Sequence, residues 1–222
     1  TGSPHPSRGL ADNFRVGAKL EYINLGECGL EGVDGGIAAA VVVRCAPMLL
    51  QFSLEYNYGL GRHGIISFAE KLSADETRCR SLNLAVCSLQ GIPGVQALES
   101  LLQKLPQLES LNINGNNFSD PGCTSLIGVL SSLVPQLTSL NIGCCGLRSD
   151  EGGDLVASLV LKLPKLRQIK LGGNSDLQST GVESIASGCF TAQSLTLTSL
   201  ELSDCGLEGD CGGVAAARGR LW

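Results

Sequence analysis

One phrase of apolar and variable positions recurs along the chain. It reads apolar, two variable positions, apolar, one variable, apolar, two variable, then Asn or Cys. Its seven copies are LEYINLGEC, LLQFSLEYN, CRSLNLAVC, LESLNINGN, LTSLNIGCC, LRQIKLGGN and LTSLELSDC, beginning at Leu20, Leu49, Cys79, Leu108, Leu137, Leu166 and Leu197. Successive starts are 29, 30, 29, 29, 29 and 31 residues apart. A period this regular marks a repeat architecture. Two or three residues after the Asn/Cys stands another apolar residue: Leu30, Leu60, Leu89, Phe118, Leu147, Leu177 or Leu207. A glycine follows six or seven residues after the Asn/Cys (Gly35, Gly64, Gly94, Gly122, Gly152, Gly181 and Gly212), and we read the chain's glycines as turn residues of the repeat.

After the glycine the apolar period lengthens to that of a helix, as in Leu126, Val129, Leu130 and Leu133,. Ser119-Asp120-Pro121 predicts a capped, proline-started helix in the fourth copy,. Pro47, Pro106, Pro135 and Pro164 predict helix ends just ahead of the next strand,. The alternating phrase predicts a short strand with one apolar side. A single strand and helix cannot enclose a core, whereas stacked copies can, with their strands side by side in a parallel sheet. The Asn at the strand's end has an amide able to satisfy backbone groups of its own and adjacent turns. Cys in that slot gives a small, easily buried side chain with a weak donor.

These residues resemble the leucine-rich repeat superfamily, and its ribonuclease-inhibitor-like subclass in particular. The alternation Cys28, Asn57, Cys87, Asn116, Cys145, Asn174, Cys205 carries the subclass resemblance, which spans roughly Leu10 to Ala217. It implies an α/β leucine-rich repeat solenoid: a right-handed horseshoe with parallel strands on the concave side and helices on the convex side. Known extracellular members have cysteine-rich flanking caps, which this sequence lacks. Thr1–Gly9 reads as a flexible lead-in and 10–222 as the repeat domain. Leu10 and Phe14 fall where a preceding helix would end, and the seventh repeat breaks off at Ala217-Arg218-Gly219-Arg220-Leu221-Trp222. The expectation is therefore a piece of a longer protein.

Hydrophobic residues make up 43% of the 222, a share suited to a packed core,. The net charge of −5 argues against nucleic acid or an anionic membrane as the main partner,. No apolar run reaches the roughly 20 residues of a membrane-spanning helix. No secretory signal pattern is present.

Ten cysteines invite a disulfide or zinc reading, but there is no CxxC pair. The ladder cysteines Cys28, Cys87, Cys145 and Cys205 lie two repeats apart, roughly 10 Å at the spacing of paired strands. That is too far for a bridge. We expect buried, reduced thiols and a cytoplasmic location, with the nucleus as second choice. Cys144 is the best candidate for a reactive thiol. His5 lies in the lead-in and His63 in the loop Gly59–Gly64, neither beside a nucleophile, so no triad can be built,. No phosphate-binding glycine motif stands in the right setting. Asp150, Glu151 and Asp154 suit a helix start and lack a calcium-loop pattern. We expect no catalytic residue, no metal and no cofactor.

The variable strand positions predict columns across the concave face. The third reads Tyr22, Gln51, Ser81, Ser110, Ser139, Gln168, Ser199 and the fifth Asn24, Ser53, Asn83, Asn112, Asn141, Lys170, Glu201. The seventh reads Gly26, Glu55, Ala85, Asn114, Gly143, Gly172, Ser203 and the eighth Glu27, Tyr56, Val86, Gly115, Cys144, Gly173, Asp204. The middle of this face is small and uncharged. Asn83, Asn112 and Asn141 are expected to bond to one another and stabilise the sheet. Aromatic and charged residues gather at the ends: Tyr22, Glu27, Glu55 and Tyr56 at the start, Lys170, Glu201 and Asp204 at the finish. These are the candidate partner-binding residues, the first group foremost. The expected function is an intracellular protein–protein interaction module. The alternatives are a GTPase-activating module, for which Arg62 and Arg148 are candidate loop arginines, and a structural or regulatory repeat segment of a larger receptor-like protein.

Overall fold

A computed structural model describes residues 19–73, 77–191 and 196–207. The lead-in, Leu10, Phe14, Gly212, Cys211 and the segment 217–222 lie outside these residues. Seven three-residue strands alternate with helices: β1 (Tyr22–Asn24), α1 (Gly32–Arg44), β2 (Gln51–Ser53), α2 (Gly61–Lys71), β3 (Ser81–Asn83), α3 (Gly91–Leu102), β4 (Ser110–Asn112), α4 (Ser119–Leu133), β5 (Ser139–Asn141), α5 (Ser149–Lys162), β6 (Gln168–Lys170), a 3-10 turn at Ser175–Leu177, α6 (Gln178–Thr191) and β7 (Ser199–Glu201). The strands form one sheet in chain order, every neighbour parallel. Each pairing joins the same repeat positions, as in Ser110↔Ser139, Leu111↔Leu140 and Asn112↔Asn141. The strand is thus the third to fifth positions of the phrase.

The fourth position points into the core. Phe52, Leu82, Leu111, Leu140 and Ile169 are buried there. First and sixth positions join them, such as Leu108 with Ile113 and Leu166 with Leu171. Helix residues including Phe68, Leu98, Leu130 and Val156 belong to the same continuous cluster. Burial is shallower at both ends of the sheet. Leu20 is exposed and Leu197, Leu200 and Leu202 are partly buried, because β1 and β7 each have a described neighbour on one side alone.

Three expectations about local structure are corrected. Ser119 does not cap α4: it is the first helical residue, Phe118 holds the cap position, and no side chain caps it. Helix starts are instead tied to the next repeat through backbone bonds, such as Gly32 N to Gly59 O (2.9 Å) and Gly61 N to Cys87 O (3.0 Å). His63 lies not in a loop but in the first turn of α2, exposed. The repeated glycine lies in or at the start of a helix rather than in a turn. A Cβ on Gly64 would sit 2.7 Å from Gly32 O, and one on Gly181 2.4 Å from Ser149 O. At these two positions the preceding repeat approaches too closely for a side chain, whereas a Cβ on Gly35 or Gly94 would meet the backbone of its own repeat at Leu30 or Leu89.

The same crowding sets the distance between helices. A Cβ on Gly36 of α1 would lie 2.0 Å from Gly64 O of α2, and one on Gly153 of α5 would lie 2.2 Å from Gly181 O of α6. These two helix pairs pack backbone against backbone.

Candidate interaction surface

At the strand ends, Asn and Cys do different work. Asn116 is fully buried. Its Oδ1 accepts from Leu89 N (2.9 Å) and Cys87 N (3.2 Å) of the preceding repeat. Its Nδ2 donates to Leu84 O (2.8 Å) and to Ile113 O (2.9 Å). Asn57 repeats this with Leu30 N (2.9 Å), Leu25 O (2.9 Å) and Leu54 O (2.7 Å). Asn174 does so with Cys145 N (2.9 Å), Ile142 O (3.0 Å) and Leu171 O (2.6 Å). Each Asn therefore clasps the Cys-type repeat before it.

Each buried Cys reaches back across the other kind of junction. Cys87 Sγ donates to Leu54 O (3.2 Å), Cys145 Sγ to Ile113 O (3.4 Å) and Cys205 Sγ to Leu171 O (3.4 Å). Burial raises these thiols, Cys87 to about 12 and Cys205 to about 11, and pushes Cys145 up as well. Cys79, in an apolar strand slot, is raised to about 11 for the same reason. Neutral donors are the form such sites favour. The expectation of burial fails at Cys28, which is exposed beside β1, a strand with a described neighbour on one side alone. Cys144 is exposed too, while Cys45 is half-buried. No disulfide joins any two of the nine described cysteines.

The eighth-position column has a backbone signature. Glu27, Tyr56, Val86, Cys144 and Asp204 have φ between 49° and 58°, and Gly115 and Gly173 occupy the same region. A left-handed residue reverses the chain direction within one step. It swings the eighth side chain off the sheet while the ninth turns into the core. Five side chains accept the strain that glycine avoids.

The structure brings part of the expected start patch together. Glu27 and Tyr56 occupy one column in adjacent repeats, with Glu27 N donating to Glu55 O and Tyr56 N to Ala85 O, both at 2.9 Å. Tyr56 is 41% exposed. Glu55 is half-buried, and its Oε2 accepts from Asn83 Nδ2 (2.7 Å). Tyr22 is also exposed but lies at the opposite end of its strand, in register with Gln51. At the finish, Lys170 pairs in register with Glu201. Ser203, then the nearby Lys170 charge, hold the Glu201 carboxyl below its ordinary value. Asp204 is exposed beside them.

The expected Asn–Asn row does not form. Asn83, Asn112 and Asn141 each turn Oδ1 to the amide two residues on: Ala85 N (3.1 Å), Asn114 N (3.1 Å) and Gly143 N (3.0 Å). A short side chain meets its own backbone more easily than a neighbour across the strand spacing.

The two candidate arginines do not converge. Arg62 is exposed on the first turn of α2, whereas Arg148 holds the cap position of α5, three repeats on, and pairs with Asp176 at 3.6 Å. Among the described residues no group of three or more His, Cys, Asp or Glu is placed to hold a metal. No described helix is long and apolar enough to cross a membrane.

A family profile described as "Leucine Rich repeat" matches residues 104–126 and 193–210. A leucine-rich repeat-containing protein, LegL7 from Legionella pneumophila, superposes with a TM-score of 0.55, covering 91% of this chain and 73% of that one at 17% identity. The fold is a leucine-rich repeat solenoid. Among curated proteins, mouse "NACHT, LRR and PYD domains-containing protein 14" is 32% identical over 146 residues, 66% of this chain. Mouse "Protein NLRC5" is 38% identical over 64 residues, 29% of this chain. The chain spans 14% of the first protein's length and 3% of the second's.

One exposed residue of the solenoid lay outside the columns read from the sequence. Tyr58 follows the Asn57 clasp, is 64% exposed, and lies 6.3 Å from Tyr56 between ring centroids, tilted by 53°. A simple signal would have found it: all three tyrosines of the chain fall between positions 22 and 58.

Proposed function

We propose that the chain is an intracellular protein–protein interaction module of the ribonuclease-inhibitor-like type. Partner contact would centre on the surface of its first two repeats. The observation that carries this reading is the exposure of Tyr22 and Tyr56, with Glu27 beside Tyr56, on an otherwise small and polar face. Large amphipathic side chains held outward on a regular sheet suit a protein partner, since aromatic residues dominate binding energy at such surfaces. The alternation of clasping Asn and back-bonding Cys supports the subclass reading. Lys170, Glu201 and Asp204 form a secondary, polar contact area. The ladder residues Cys28, Asn57, Cys87, Asn116, Cys145, Asn174 and Cys205 would hold the solenoid together rather than contact a partner.

The test is affinity capture from cell lysate with the natural chain and with Tyr56→Ala/Glu55→Lys, after circular dichroism has matched their folds. A protein held by the first and lost by the second supports the reading. Identical capture by both would count against the first-two-repeat surface.

A second reading is a repeat segment that serves a larger multidomain protein. It is favoured by the similarity to 14% of a protein whose name combines NACHT, LRR and PYD domains. The mass of the endogenous protein on a denaturing gel tests it: a species near 23.1 kDa would oppose it. For the GTPase-activating alternative, the separation of Arg62 from Arg148 and the engagement of Arg148 by Asp176 offer no support.

A further inference from the structure

The Tyr56–Tyr58 pair is not explained by packing. Both rings are large, both are exposed, and they stand tilted to one another at 6.3 Å. Apolar rings left in water at neighbouring positions mark a contact surface when they adjoin a recess. Here they do. Tyr58 precedes Gly59, which borders an open recess of about 730 Å³ lined by residues 29–35 with Ala38. Glu31 and Asp34 line the recess as well. The Glu31 side chain lies over Gly59, where a Cβ would meet its Cγ at 2.5 Å. Glu27 occupies the column of Tyr56 in the preceding repeat.

Acid outweighs base around the pair. Residues 19–62 carry Glu21, Glu27, Glu31, Asp34 and Glu55 against Lys19, Arg44 and Arg62, and Arg44 stands at the far end of α1. The ion pairs among the described residues are Arg80–Glu109 and Arg148–Asp176, and none of these five carboxylates is in them. Exposed aromatic faces flanked by unmatched carboxylates have one complementary chemistry. A planar cation can lie on the ring and donate to the acid beside it.

We infer that Tyr56 and Tyr58, with Glu27, Glu31 and Asp34, form a receptor for an arginine-bearing segment of a partner protein. The inference rests on the interaction-module reading and names the chemistry of its partner. Guanidinium groups stack on the tyrosines, and the carboxylates of the recess and of Glu27 accept their N–H groups. Selectivity for Arg over Lys follows, because an ammonium is compact and strongly hydrated and cannot stack as a plane.

The experiment uses fluorescein-labelled octa-arginine, octa-lysine and octa-glutamate, titrated with the chain at physiological ionic strength and followed by anisotropy. Octa-arginine is expected to bind most tightly and octa-glutamate not to bind. Tyr56→Ala/Tyr58→Ala is expected to weaken octa-arginine by about tenfold, while Tyr56→Phe/Tyr58→Phe stays near the parent, since the ring supplies the contact. Asp150→Asn/Glu151→Gln removes equal charge from the start of α5 and is expected to change affinity less than about twofold. Equal losses in the tyrosine-to-alanine and α5 variants, or none in the former, would overturn the inference. If a protein captured through Tyr56 and Glu55 is not displaced by octa-arginine, the inference falls while the module reading stands. If nothing is captured but octa-arginine binds through the tyrosines, the arginine chemistry of the surface stands and the module reading falls.

Discussion

Replacing Asn116 with Ala removes the central clasp between the third and fourth repeats. The side chain is fully buried and makes four bonds of 3.2 Å or less, two to amides and two to carbonyls. Truncation leaves two buried donors without an acceptor and two carbonyls short of a donor. An unsatisfied buried polar group costs roughly 1–3 kcal/mol. The low end of that range, summed over four groups, gives a loss of about 4 kcal/mol. For a domain of this size that corresponds to a melting point lower by roughly 8–16 °C. Asn116→Cys is the sharper variant, because Cys is the residue used in the flanking repeats. Its thiol can restore a bond to a carbonyl but offers Cys87 N and Leu89 N only a weak sulfur acceptor. We expect it to lose at least about 2 kcal/mol. Urea denaturation monitored by circular dichroism reads both. A loss under about 1 kcal/mol for Asn116→Ala, or parental stability for Asn116→Cys, would refute the assignment of distinct roles to Asn and Cys.

Three further outcomes follow from the geometry. Gly36→Ala places a Cβ 2.0 Å from Gly64 O and must part α1 from α2; we expect a loss of roughly 1–3 kcal/mol, read by thermal denaturation,. Val86→Gly relieves a β-branched residue at φ 55° and is expected to gain about 1 kcal/mol in the same assay, whereas equal stability would argue that no strain is stored there,. Alkylation at pH 8, mapped by mass spectrometry, should label Cys28 and Cys144 well before Cys87, Cys145 and Cys205,. Burial also links these thiols to pH. The folded-state values of Cys79 (about 11), Cys87 (about 12) and Cys205 (about 11) lie above the ordinary 9.0, so their contribution is whole below pH 9 and is lost as pH rises toward the folded values. Each thiol should steepen the alkaline loss of stability by about 1.4 kcal/mol per pH unit, and Cys87→Ala should flatten it.

The architecture was legible because it is written seven times. A strand with Leu111 or Ile169 facing inward is ambiguous alone, but recurrence at 29–31 residues fixes period, register and direction together. What escaped were features set by contact between repeats. The glycine at position 64 is demanded by a carbonyl of the preceding repeat, which no single-repeat argument contains. The left-handed eighth position is half-hidden in its residues: Gly115, Gly173 and Asp204 suit positive φ, but Glu, Tyr, Val and Cys do not announce it,. Asn83 turned to its own backbone and Glu55 rather than to Asn112, a choice among near-equal donors and acceptors. Tyr58 was passed over because the strand columns end at the Asn before it. Its pairing with Tyr56 needed the turn geometry.

A partner protein held on the surface of the first two repeats would slow exchange of the backbone beneath it. Hydrogen exchange measured by mass spectrometry, on the chain alone and with the protein it captures, reads this. Added protection is expected at Tyr22–Asn24 and across Glu27, Glu55, Tyr56 and Tyr58, with little change along the outer helices α3–α5. Protection confined to those helices, or to the sixth and seventh repeats, would contradict it.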